Sequence, residues 1–383
     1  MAKPPQKSNI SMSRLSKTMF TLLSIIATLG LTLYLFLQQP KFGKLPEGAR
    51  LERIKRSPNY KNGKFVNFSP TPQIVEGTSY TSVLYDYFFK KIDRKHPKKA
   101  LPTVKTDLKH LPIDQDILVW FGHSSYFIQI EGKRILVDPV FSGSVSPIPG
   151  TNKSFKGTDS YTVDDLPEID YLFITHDHYD HLDYETIIQL KGKTNKVICG
   201  LGVGAHLEYW GYLPESIIEG DWHERIPLDD GFIVHTTPAR HFSGRSLQSS
   251  KTLWMSYVLQ TPTIKIFIGG DSGYDSHYAA IGEKFGPIDL AIMDNGQYDK
   301  TWRYIHHLPE DVLQAAQDLK AKRLLPVHHS KFDIATHAWD EPLVRITELN
   351  KTAHIPLITP MIGEAVRLKD DQQQFKQWWV GQQ

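Results

Sequence analysis

The stretch Thr175–Asp183, THDHYDHLD, places three histidines and three aspartates within nine residues. It follows the apolar run Ile169–Ile174 and precedes a helical pattern over Asp183–Lys191. That order puts the donors on the loop leaving the C-terminal end of a strand, where sites tend to be built. Crowding imidazoles and carboxylates is unfavourable unless something positive sits among them. His176, His178, Asp180 and His181 are therefore candidate metal ligands, of a type that suits Zn²⁺ or iron with a position open for water.

One loop cannot fill two coordination shells, so further donors are needed at other strand ends. Three occur in that setting: His241 in TTPARHFSGR, Asp271 in IFIGGDSGY and His328 in LLPVHHSKF. His329, beside His328, is an alternative donor. Asp138 in LVDPV is expected to orient a ligand histidine, and Asp183 to hydrogen-bond near the site or cap the following helix.

Strands are expected at ILVWF and SYFIQI, at RILVDPV, and then at 169–175, 196–199, 232–237, 253–260, 264–270, 288–293 and 322–327. EGKR reads as a hairpin turn. Further helices are expected at Pro309–Lys320 and Glu341–Lys351. Many strands with intervening helices imply central sheets covered by helices.

The only cysteine is Cys199, which excludes a disulfide framework and thiolate-rich metal sites. The net charge of +2 hides an asymmetry: residues 1–56 hold ten Lys/Arg and two Glu, so the rest sums to −6. An acidic body argues against a nucleic-acid partner.

The positive charge flanks Met19–Leu37, nineteen residues without a charge. At about 1.5 Å per residue they match the roughly 30 Å hydrocarbon core of a bilayer. A retained single-pass anchor is expected, because the run is long for a signal peptide and no small-residue cleavage site follows. A cleaved signal and a buried core helix are the rival readings. Basic residues on both sides leave the orientation open.

The expected organisation is a basic tail (1–18), an anchor (19–37), a linker and extension packing on the core (38–116), a catalytic domain (117–370) and a tail (371–383). Phe141–Gly157 reads as a lip over the site or a plain surface loop. QWWVGQQ reads as membrane contact or a segment docked on the domain.

Taken with Asp138, the set THDHYDH, His241, Asp271 and His328 resembles the metallo-β-lactamase fold superfamily over Ile117–Met361. The resemblance implies an α/β protein, an αββα sandwich with a binuclear site at one edge. GHSSYFIQIEGKRILVDPVFS, TPARHFSGR, GGDSGY, HHLPED and HHSKFD are similar to the N-acylphosphatidylethanolamine phospholipase D branch and its bacterial membrane-associated relatives. Carried over, His176, His178 and His241 would hold one metal, and Asp180, His181 and His328 the other. Asp271 would bridge both, and its carboxylate replaces the Cys common in β-lactam hydrolases of this fold.

The resemblance implies two Zn²⁺, with iron or manganese as alternatives, and a metal-bridging hydroxide that attacks phosphorus. Asp271, Asp180 and His306 in YIHHLPED are the candidate catalytic residues; His306 would contact phosphate or donate a proton, and His307 is its weaker twin. His123 in FGHSS and Arg245 in HFSGR are further phosphate-contact candidates. The expected activity is a phospholipase D-type phosphodiesterase on (N-acyl)phosphatidylethanolamine or a related glycerophospholipid. The expected partners are a membrane phospholipid and the bilayer, at the bacterial inner membrane; a homodimer is left open. A lactonase or other small ester hydrolase of the same fold is the alternative. A non-catalytic, metal-stabilised envelope protein is an alternative of another class.

Overall fold

The computed structural model describes residues 14–382; Lys3 and Lys7 of the basic tail lie outside the described residues. The chain divides into two compact units, Met1–Phe42 and Gly43–Gln383. In the first, helix α1 (Arg14–Leu37) runs for 24 residues, is apolar over most of its length and has no buried residue. By length and composition it can cross a membrane.

In the second unit the elements follow in order. Helix α2 is Gly48–Lys55, strands β1 and β2 are Tyr60–Lys61 and Lys64–Phe65, and helix α3 is Tyr80–Phe89. Strands β3 (Ile117–Trp120), β4 (Tyr126–Ile130), β5 (Lys133–Val137) and β6 (Ile169–Ile174) come next. Then come helix α4 (Tyr184–Leu190), strand β7 (Thr194–Gly200), helix α5 (Gly204–Tyr209), and strands β8 (Ile217–Gly220), β9 (Arg225–Pro227), β10 (Ile233–Thr237), β11 (Ser256–Gln260) and β12 (Lys265–Ile268). Helix α6 (His277–Phe285), strand β13 (Leu290–Asp294), helix α7 (Pro309–Asp318), strand β14 (Leu324–Val327), helix α8 (Glu341–Ala353) and strand β15 (Ala365–Arg367) complete it.

Two mixed sheets result, β15-β3-β4-β5-β6-β7-β8 and β14-β13-β12-β11-β10-β9. Alternation along each strand decides what packs where. Leu118 and Trp120 of β3 share the central core with Tyr257 and Leu259 of β11 and with Ile266 and Ile268 of β12. Ile117 and Val119 face outward to the layer holding Ile187 and Leu190 of α4 and Leu207 of α5. Val258, Phe267 and Met293 face the opposite outer layer, with Val312, Leu313 and Ile346 of α7 and α8. Both faces of each sheet are thus dry, which is why the strands read as continuous apolar runs. The architecture is the αββα sandwich. Truncating a buried ring such as Phe267 to Ala removes contacts worth about 3–5 kcal/mol.

The hairpin turn is Glu131-Gly132, both at positive φ (48° and 78°), between β4 and β5. The strand expected at 253–260 starts later, at Ser256. Leu253 and Met255 instead donate their amides to the carbonyls of Leu201 and Thr175, tying this segment to the loops after β7 and β6. Strands β1, β2, β8, β9 and β15 and helices α2, α3, α5 and α6 were not anticipated.

The segment before β3 is fastened along its length. Ile54, Phe65 and Leu101 enter the central core. Val104 N donates to Ile362 O at 2.9 Å. Trp378 and Trp379 near the C-terminus are likewise buried in that core, so the QWWVGQQ tail docks on the domain.

Candidate metal centre

The donors converge at one edge of the sandwich because each ends a strand or begins the loop after it. His176–His181 follow β6, His241 follows β10, Asp271 follows β12 and His328 follows β14. Gly270 before the carboxylate sits at φ 60°, and a Cβ there would lie 2.8 Å from Thr175 Cβ. The close approach of the two loops therefore needs glycine. His123, Asp138 and His328 also adopt positive φ (54°, 40° and 68°), a conformation that non-glycine residues hold only where the surroundings enforce it.

Two groups form. His176, His178 and His241 bring ring nitrogens together: His178 Nδ1 lies 2.9 Å from His176 Nε2 and 3.2 Å from His241 Nε2. Asp180, His181, His328 and His123 form the second, with His181 Nε2 3.5 Å and His328 Nε2 4.0 Å from Asp180 Oδ2. Asp271 lies between them. Its Oδ2 is 3.8 Å from Nε2 of both His176 and His241 and 3.1 Å from His181 Nε2. Its Oδ1 is 3.2 Å from His328 Nδ1.

The far nitrogens are held in place. Asp138 Oδ2 accepts from His181 Nδ1 at 2.7 Å, and the same carboxylate accepts from the Thr175 amide and hydroxyl. Ile305 O accepts from His241 Nδ1 at 2.8 Å. Ser124 Oγ lies 2.8 Å from His328 Nδ1, and Thr175 Oγ1 lies 3.1 Å from His176 Nδ1. Fixing one imidazole nitrogen aims the other, as ligand histidines require.

The electrostatics fit a cation. Burial holds His176, His241 and His328 well below the usual imidazole range, and His178 below it too. His241 Nδ1 donates its proton to Ile305 O, so in the neutral ring His241 Nε2 turns a lone pair towards His178 Nδ1 at 3.2 Å. His181 Nε2, His328 Nε2 and Asp271 Oδ1 are buried without a hydrogen-bond partner. Buried polar atoms left unmet cost roughly 1–3 kcal/mol each. A divalent cation in each group would satisfy them, and an N/O donor set without thiolate suits zinc, iron or manganese.

His306 sits on the more open side. Its side chain keeps 12% exposure, against 0–1% for His176, His181, His241 and His328. Its Nδ1 is 3.5 Å from Asp294 Oδ2 and 3.9 Å from Asp271 Oδ2. Burial acts downward on this ring, but the carboxylates of Asp294 and Asp271 outweigh it and raise its pKa. His307 is turned inward, its Nδ1 2.5 Å from Asp294 Oδ1. His329 also turns away, its ring on Trp120 at 5.0 Å and its Nε2 3.1 Å from Pro326 O. Of the two adjacent histidines, His328 is the one that reaches the cluster.

Two expected phosphate contacts are placed otherwise. His123 is fully buried, and its Nε2 meets Asp180 Oδ2 at 2.9 Å; it braces a candidate ligand. Arg245 is buried under the ligand loop. Its Nη1 donates to the carbonyls of Asp177 (2.8 Å) and Leu182 (2.6 Å), and its guanidinium lies over the Tyr179 ring at 4.3 Å. The run HFSGR gave no sign that the arginine folds back. Asp183 lies just before α4 and accepts from the amides of Phe141 and Ser142 and from Thr186 Oγ1. It fastens the start of the 141–157 loop, and burial raises its pKa to about 6.

Sequence reasoning missed Ser124, Thr175 and Asp294. Asp294 carried a signal, since it ends the strand IDLAIMD as Asp271 follows IFIGG.

Two helix-covered sheets with a His/Asp cluster on strand-end loops define a fold with a candidate metal centre at its edge. The chain belongs to the beta-lactamase superfamily: the family described as "Beta-lactamase superfamily domain" matches residues 133–329. An uncharacterized protein of Mycobacterium tuberculosis is 33% identical over 316 residues, covering 82% of this chain and 85% of its own. The mitochondrial N-acyl-phosphatidylethanolamine-hydrolyzing phospholipase D of Saccharomyces cerevisiae is 31% identical over 240 residues. That match covers 60% of this chain and 51% of the yeast protein. Among solved structures, Igni18, a metallo hydrolase from Ignicoccus hospitalis, shares the fold with a TM-score of 0.52 at 21% identity. It covers 66% of this chain and 98% of its own. The chain is a metal-dependent hydrolase of this superfamily.

Proposed function

We propose that the chain is a binuclear phosphodiesterase of phospholipase D type, acting on N-acylated phosphatidylethanolamine or a related glycerophospholipid. The observation that carries the reading is the position of the Asp271 carboxylate, within 3.8 Å of nitrogens from both histidine groups. His176, His178 and His241 would hold one cation; Asp180, His181 and His328 the other; Asp271 would touch both. Zinc is the proposed metal, with iron or manganese as alternatives. A bound pair supplies Lewis acidity and lowers the pKa of coordinated water from 15.7 towards 7.

The chain's own groups then do the rest. Asp138, Ser124, Thr175 and the Ile305 carbonyl fix the orientation of the rings. In hydrolysis, oxygen from water joins phosphorus and the bond from phosphorus to the headgroup oxygen breaks. His306, on the open side and kept protonatable by Asp294, would give the departing alkoxide its proton. The lipid assignment draws support from the yeast relative's named activity and from the composition of α1, which we read as a single-pass anchor.

The test is hydrolysis by full-length, metal-loaded protein of vesicles containing N-acylated or plain phosphatidylethanolamine. Release of the headgroup alcohol with phosphatidic acid, lost in His178→Ala, is the expected result. Inert phospholipids alongside rapid hydrolysis of a lactone overturn the reading.

A further inference from the structure

Helix α3 (Tyr80–Phe89) buries none of its residues. Along it Tyr80, Leu84, Tyr85, Phe88 and Phe89 stand 64%, 55%, 65%, 69% and 70% exposed. A soluble surface rarely leaves so many large apolar side chains together without a partner. The helix is nonetheless built deliberately: Ser79 caps it, accepting from the Ser82 amide at 3.0 Å. It is also fastened to the body. Tyr87 Oη accepts from Asn152 Nδ2 at 3.1 Å, and the Val75 amide just before it donates to Thr301 O at 2.7 Å.

The chain then runs KKIDRKHPKK over residues 90–99, six Lys/Arg against Asp93 alone. Arg94 and Lys95 are committed to Asp340 and Asp333, while Lys90 pairs with Asp86 across one helical turn. Lys91, Lys98 and Lys99 are exposed and follow the aromatic helix in the chain, on an otherwise acidic body. An apolar, aromatic helix bordered by lysines is the pattern of a segment lying in a bilayer interface, rings among the acyl boundary and ammonium groups at anionic headgroups. A second copy of the chain would meet the same lysines with its own.

We infer that α3 and the lysines that follow it form an interfacial docking surface for an anionic lipid bilayer. The inference rests on the membrane reading of the chain but does not require the phosphodiesterase assignment. A cleft of about 500 Å³ runs beside the helix, with Ser82 and Asp86 on one wall and Trp302 and Leu308 on the other. Leu308 lies two residues from His306. Docking through α3 would thus hold headgroups beside the segment that carries the proposed proton donor. Ile148, in the loop that joins α3 through Asn152, is 55% exposed and adds a further apolar side chain.

Cys199 is buried and is the only cysteine, so a spin label can be directed to α3. Full-length Phe89→Cys, labelled and reconstituted into vesicles, is compared with a reference label at Gln189→Cys on the exposed side of α4. Accessibility to oxygen and to a water-soluble nickel chelate, present on both faces, reports immersion. In vesicles of phosphatidylglycerol and phosphatidylethanolamine, the oxygen-to-nickel ratio at position 89 should exceed the reference several-fold. In phosphatidylcholine alone the excess should shrink. An unchanged ratio in both overturns the inference, and so does an equal rise in both, which removes the anionic partner. Dipolar broadening between labels independent of lipid would assign the face to a second copy instead. The label needs no turnover, so an inactive protein with an immersed label refutes only the proposed activity.

Discussion

His123 Nε2 and Asp180 Oδ2 lie 2.9 Å apart, with the imidazole fully buried. A residue expected to meet substrate instead steadies a carboxylate that faces His181 and His328. Substituting His123 by Gln should lower affinity for one of two bound cations by about 10–100-fold, the usual cost of losing a partner behind a ligand. KM of fully loaded enzyme should stay near its original value. Metal titration followed by steady-state kinetics separates the cases, because a substrate contact would raise KM and leave the titration alone.

His306 differs from the buried rings in facing the open side. His306→Gln should reduce kcat by roughly 10²–10⁴-fold, the range for a lost general acid, while both metals remain. Elemental analysis of the variant checks this. Loss of a cation would make His306 a ligand, since its ring also falls within one possible donor group with His241 and Asp271.

Arg245 holds the Asp177 and Leu182 carbonyls and covers the Tyr179 ring. Arg245→Ala leaves buried acceptors unmet at about 1–3 kcal/mol each, so a lower Tm is expected. Arg245→Lys keeps the charge but loses the planar guanidinium that lies over the Tyr179 ring, and should recover only part of the loss. A rise in KM with unchanged Tm would restore the phosphate-contact role.

Burial depresses the pKa of His277 to about 3. Between that value and the unfolded value of roughly 6.5 the unfolded chain binds the proton and the folded chain does not. Stability contributed by this neutral ring is therefore intact above about pH 6.5 and erodes as pH falls, by up to about 1.4 kcal/mol per unit. His277→Asn should flatten the decline of Tm between pH 7 and pH 5. An unaltered slope contradicts the assignment.

Much of the site was legible because its donors are read locally. THDHYDH is one loop, and His241, Asp271 and His328 each sit directly beyond an apolar run that must be a buried strand. Asp138 was legible for the same reason. What could not be read depends on contacts distant in sequence. His123 reaches Asp180 across 57 residues, and Arg245 bends back 63 residues to Leu182. Strands β8, β9 and β15 are only three or four residues long and lie at sheet edges, where alternation is too brief to register. The extension before β3 lacks periodicity because it is held by isolated anchors such as Phe65 and Leu101 rather than by one amphipathic face.

The central claim is that strand-end residues grip two cations with Asp271 between them. Anomalous diffraction at the edge of the bound metal, from crystals of the metal-loaded protein, tests it most directly. Two peaks about 3.5–4 Å apart are expected, one among His176, His178 and His241, the other among Asp180, His181 and His328, both in contact with Asp271. A single peak, or two peaks of which neither touches Asp271, would contradict it.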